Sequence, residues 1–192
     1  MFGRPSLSLR ALLELIPLKR YDHTMDFELH PAVPLSTRAF HVLVAPVQML
    51  ILALNSRLNL QRFRVLYVCG NYSRILSRLD RRFTALEVRR AFTAFQLMTI
   101  LEENQHTLLI LEHDSLLYED AAEMAEYAAR AMRDASNSAT VLLYAPAVDP
   151  FLEEMIKHAD RAFYFDEGPR PAARPSARNY KKMQAQTTLE TF

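Results

Sequence analysis

Glu112, His113 and Asp114 follow one another directly after the apolar run Thr107 to Leu111, and they are residue types that hold metals and carry protons. On an extended segment alternate side chains point to opposite sides, so Glu112 and Asp114 share a face and His113 leaves it. No spacing of histidine and cysteine matches a zinc site. The one cysteine, Cys69, has no histidine beside it and reads as a small buried residue. It forms no intrachain disulfide, which fits a reducing compartment. His23 and His30 flank acids and read as surface histidines. A second group is cationic: Arg78, Arg81, Arg82, Arg89 and Arg90. Such a cluster can touch DNA phosphates, or it can be a solvated face shared with Asp80 and Glu87. A third group closes the chain, in Gln186-Thr187-Thr188-Leu189-Glu190-Thr191-Phe192. One helical turn over Thr188 to Phe192 puts Leu189 and Phe192 on one face, with Gln186 upstream as a hydrogen-bonding anchor. A few apolar anchors at helical spacing suit a hydrophobic groove on a partner.

These residues need elements to position them. Residues 7–19 read as a short apolar helix ended near Pro17, followed by a polar stretch with a strand at about Met25–Leu29. Short apolar or β-branched runs at His41–Ala45, Val65–Val68, Thr107–Leu111, Ala139–Tyr144 and Arg161–Phe165 suit strands, the first two buried. Pro46 closes the first and can open a helix over Val47–Leu60. Ser73–Leu79 reads as a short helix. Thr84 with Glu87 three residues on matches a capping box, and predicts a helix running to about Glu103 with Phe92, Phe95, Met98 and Leu101 as its core stripe. Glu119–Ala135 is dense in Ala, Glu and Met and predicts a helix. Asp149 as N-cap and Pro150 at the first position start another, to about His158. Strands alternating with helices imply βαβ units and a mostly parallel sheet covered by helices, the α/β class.

The order of these elements over residues 35–167 resembles the RecA-like ATPase core, as in archaeal recombinase paralogues. That resemblance implies a RecA-like three-layer fold. In the family, the first strand feeds a glycine-rich loop ending in lysine and a hydroxyl residue, whose amides cradle phosphates. The matching stretch here, Val44 to Ile51, has no glycine, lysine or hydroxyl residue, and Pro46 removes an amide. The family's magnesium-binding carboxylate falls at Glu112 or Asp114, either of which would be a vestige of that Walker B-like position. Asp114 or Ser115 alternatively caps the following turn, and Glu112 pairs locally. The last seven residues resemble the PCNA-interacting peptide (PIP box), with which replication and repair proteins hold the sliding clamp. The resemblance implies clamp contacts by Gln186, Leu189 and Phe192. Many members end in two adjacent aromatics where this chain has one, a departure that bears on affinity.

The chain has 192 residues, 50% of them hydrophobic, enough for one domain with a sizeable core. Its net charge is +1, unevenly spread. Residues 168–192 hold Arg170, Arg174, Arg178, Lys181 and Lys182 against Glu190, net +4, which leaves −3 on residues 1–167. Those cations are the expected site of a weak DNA contact. Residues 168–183 form a basic, Pro-rich linker; extended, sixteen residues reach roughly 50 Å. The expected organisation is an N-terminal helix and extended segment (1–34), a degenerate RecA-like domain (35–167), that linker (168–183) and the clamp peptide (184–192), with a disordered C-terminal tail. No membrane span is expected, nor a catalytic constellation, metal site or cofactor. The chain is expected to be a non-catalytic adaptor in DNA replication and repair, bridging the sliding clamp to a second replication or repair protein. It would work in the cytoplasm beside the nucleoid, or in a nucleus. The alternatives are a recombinase-paralogue nucleotide-binding protein with an atypical site and a DNA-binding accessory factor.

Overall fold

The computed structural model describes residues 27–56, 63–80 and 86–165. Two short strands come first, β1 (Phe27–His30) and β2 (Val33–Leu35), paired as an antiparallel hairpin. Then follow β3 (Phe40–Val44), α1 (Val47–Ser56), β4 (Val65–Cys69), β5 (Leu86–Arg90), α2 (Ala94–Glu102), β6 (Leu108–Glu112), α3 (Met124–Ala135), β7 (Thr140–Ala145), α4 (Pro150–Ile156) and β8 (Arg161–Tyr164). Single 3-10 turns stand at Leu76–Arg78 and Ser115–Leu117. The last six strands form one parallel sheet in the order β5-β4-β6-β7-β3-β8. The protein is therefore an α/β fold with a six-stranded parallel sheet flanked by helices.

Every residue of β3, β4 and β7 is buried, as strands covered on both faces require. Alternation divides them between two cores. Val42, Val44, Leu66, Val68, Leu109 and Leu111 face one side, where α2, α3 and α4 pack through Leu97, Ala128 and Leu152. Leu43, Tyr67, Ile110 and Tyr144 face the other, where α1, the β1–β2 hairpin and Ile75 close the layer. Two caps fix where helices start. Thr93 Oγ1 accepts from the Gln96 amide at 3.2 Å, and Asp149 Oδ1 accepts from the Leu152 amide at 2.8 Å with Pro150 next in line.

The helix expected from Thr84 to Glu103 is corrected. Residues 86–90 are a strand paired with β4, and α2 begins only at Ala94. Two hydroxyl-x-x-Glu/Gln signals lie nine residues apart, Thr84 to Glu87 and Thr93 to Gln96, and the second one caps the helix. The expected stripe shifts with it. Ala94, Leu97, Ile100 and Leu101 face the core, whereas Phe92 is 57% and Phe95 68% exposed. The helix expected from Glu119 starts at Met124, and the one expected over Ser73–Leu79 is the 3-10 turn at Leu76–Arg78. Residues 7–19 lie outside the described residues.

Candidate functional site

In open α/β sheets, ligand crevices form beyond the carboxyl ends of strands, where neighbouring strands send their connections to opposite faces. Among the described residues three neighbouring pairs meet this condition, β3 with β7, β4 with β6 and β4 with β5. After β3 the chain goes to the α1 face, while after its neighbour β7 it goes to the α4 face. After β4 the chain goes to the face holding Ile75, while after β6 it goes to α3. A crevice of about 560 Å³ opens at the first, with Pro46, Val47, Gln48, Arg74, Arg78 and Pro146 in its wall. One of about 450 Å³ opens at the second, bordered by Gly70, Arg74, Glu112 and Asp114.

The β3 crevice occupies the position of the expected phosphate loop. Only Ala45 and Pro46 separate β3 from α1. The Ala45 amide donates to the Ala145 carbonyl at 3.1 Å, and the Ala45 carbonyl accepts from the Tyr144 hydroxyl at 3.0 Å. The Met49 amide bonds the Pro46 carbonyl at 2.9 Å. Proline has no N–H to offer. Tyr144 is held protonated, its pKa pushed up to about 12 by burial and then by the charge of Glu112.

Glu112, at the end of β6, is tied to the loop after β4. Its Oε2 accepts from the Tyr67 hydroxyl at 2.7 Å and from Ser73 Oγ at 2.5 Å, and its Oε1 accepts from the Arg74 amide at 3.2 Å. Ser73 Oγ in turn accepts from the amides of Ile75 and Leu76. Burial, followed by the Glu112 carboxylate, drives the Tyr67 phenol well above its ordinary pKa. Asp114 caps the Ser115–Leu117 turn, its Oδ1 accepting from the Leu116 amide at 3.2 Å. Its carboxylate lies over Gly70, where any Cβ would collide with Oδ2. His113, between them in sequence, lines the same crevice but takes a different partner. Its Nε2 pairs with Asp149 Oδ2 at 2.7 Å, and its ring stacks on Tyr118 at 6.1 Å. Asp149 thus joins the end of β6 to the start of α4 with one carboxylate.

The three adjacent ligand-type residues therefore serve three different anchors. Among the described residues no group of three His, Cys, Asp or Glu side chains could hold a metal ion. Of the arginines, Arg89 pairs with Glu103 at 3.2 Å, and Arg90 Nη1 donates to the carbonyls of Asn71 at 2.6 Å and Gly70 at 3.2 Å. Arg78 stands apart from them, in the β3 crevice. Arg81 and Arg82 lie outside the described residues, as do Arg170, Arg174, Arg178, Lys181, Lys182, Gln186, Leu189 and Phe192. Sequence reasoning missed the Tyr67, Ser73 and Arg74 anchors of Glu112. The strand alternation carried part of that signal, since it puts Tyr67 and Glu112 on the same face. Among the described residues no helix is long and apolar enough to cross a membrane.

No family model matches the chain. It is 32% identical over 161 residues to an uncharacterized protein of Archaeoglobus fulgidus, spanning 80% of this chain and 82% of that one.

Proposed function

This chain belongs to the family of that Archaeoglobus fulgidus protein, and we propose that it is a non-catalytic adaptor of DNA replication and repair. Its body descends from a RecA-like domain and holds a second replication or repair protein. Its tail holds the sliding clamp through Gln186, Leu189 and Phe192, on a basic tether whose arginines and lysines brush DNA. One observation supports the non-catalytic body above the others: the two-residue connection from β3 to α1. A phosphate cradle needs a run of free amides. Here one amide is spent on β7, the next residue is proline, and apolar Val47 follows. Glu112 and Asp114 are likewise engaged by the protein itself. The relative is archaeal, and clamps of this kind are those of archaea and eukaryotes. Such an adaptor works beside the nucleoid, or in a nucleus.

The clamp half is tested by calorimetry with the purified clamp. Full-length protein should bind, whereas deletion of residues 184–192, or Leu189→Ala with Phe192→Ala, should abolish the heat without altering the circular dichroism. Equal affinity of full-length and truncated protein would sink the proposal. Arg74 and Arg78 in the β3 crevice favour a second reading, an atypical nucleotide site. ATP with magnesium would then raise the melting temperature, and Arg74→Ala with Arg78→Ala would remove the shift.

A further inference from the structure

We infer that two copies of this chain pair antiparallel through β5, making one continuous sheet across a two-fold axis at Val88. The proposal is independent of the clamp and of the adaptor role. Among the described residues β5 is an outer strand, with β4 on one side and nothing on the other. Outer strands present unpaired N–H and C=O groups, and proteins usually blunt them with charge. The backbone direction is fixed by the Ala91 amide, which donates to the Cys69 carbonyl of β4 at 2.9 Å. Successive residues of a strand turn their amide and carbonyl to alternate edges. Residues 87 and 89 therefore bond β4, while Leu86, Val88 and Arg90 offer both groups outward.

The side chains are complementary to themselves. With Val88 opposite Val88 of a second copy, Glu87 falls opposite Arg89 and Leu86 opposite Arg90. A strand blunted by a single kind of charge repels its copy. The Glu87-Val88-Arg89 order instead sets each carboxylate against a guanidinium twice over, as an isologous contact requires. Val88 is 43% exposed and lies on the α1 face with Leu86, so the pair would bury apolar surface at the axis. On the α2 side, Arg89 already meets Glu103 and Glu87 meets His106 at 3.1 Å, so the new ion pairs would join existing ones. Two five-residue strands alone fall short of the roughly 1,200 Å² that a stable interface buries. Beside β5, however, Phe92, Gln96 and Thr99 border a groove of about 340 Å³, and Phe92 and Phe95 stand exposed where β5 leads into α2. These extend the contact beyond the strand.

The test is light scattering on the full-length chain over a concentration series. The wild type should reach the mass of two chains. Glu87→Arg sets like charges opposite each other and should raise the dissociation constant about tenfold or more, and Arg89→Glu should do the same. The double variant, Glu87→Arg with Arg89→Glu, restores the match and should recover the dimer. Both side chains are on the surface, and thermal melts of the variants check folding. Val88→Cys provides a second measurement. Opposed α-carbons about 5.5 Å apart lie within disulfide reach, so oxidation should give a covalent dimer, while Cys69 is buried and does not compete. A monomer at the highest soluble concentration, a dimer indifferent to the single charge reversals, or Val88→Cys that stays uncrosslinked would each overturn the proposal.

Discussion

Tyr67 shows what a single side chain does at the carboxyl edge of this sheet. Its ring fills the core beneath α1 while its hydroxyl donates to Glu112, so one residue is both core and anchor. The raised pKa has a direct consequence for stability. Burial first, and the Glu112 charge second, penalise the phenolate only in the folded state. The stabilisation is complete below the ordinary tyrosine pKa of 10.0 and is lost as pH rises beyond it. Each tyrosine that ionises only on unfolding costs about 1.4 kcal/mol per pH unit in that range. Tyr67→Phe should therefore do two things in urea titrations at stepped pH. Near neutrality it should lower stability by about 1–3 kcal/mol, because Glu112 loses a donor while keeping Ser73 and the Arg74 amide. Above pH 10 its decline should be shallower than that of the wild type. Parallel alkaline slopes would show that Tyr67 is not the group responsible. The acids themselves were visible in the sequence. Their partners were not, because Tyr67, Ser73 and Asp149 are distant in the chain and only the strand order brings them near.

At the scale of elements, the inner strands and the outer strand β8 were legible and the other outer strand, β5, was not. β3, β4, β6 and β7 announce themselves as apolar runs because both faces are covered. β5 reads Leu86-Glu87-Val88-Arg89-Arg90, with most of its side chains at the surface, so it carries no such run and sits next to a capping signal. The β1–β2 hairpin was half legible: a strand was expected near its first arm, but the second arm contains Pro34 and is three residues long. The choice between the two capping signals can be tested by paired substitutions. Thr93→Ala removes the side chain that accepts from Gln96 and should cost about 1 kcal/mol, a fall of about 2–4 °C in melting temperature. Thr84→Ala should leave the melting temperature unchanged. The reverse pattern in thermal melts would restore a helix start at Thr84.

At the scale of the whole molecule, both faces of the inner strands are already covered by the described residues. α1, the hairpin and Ile75 close one side, and α2, α3 and α4 close the other. β8 forms one edge of the sheet and leads directly into the chain that bears the basic tether. A tail that works by capturing a separate partner should contribute nothing to this core. A core that borrowed apolar residues from the tail would lose stability without it, since each buried Leu or Phe side chain contributes about 1.5–3 kcal/mol. The chain cut after residue 167 is therefore expected to unfold in a single calorimetric transition at the melting temperature of the full-length protein. That result would leave Leu189 and Phe192 free for a groove on another protein. A drop in melting temperature of several degrees on truncation would mean that these residues pack on the body, and the clamp would then have to compete with the protein's own core for them.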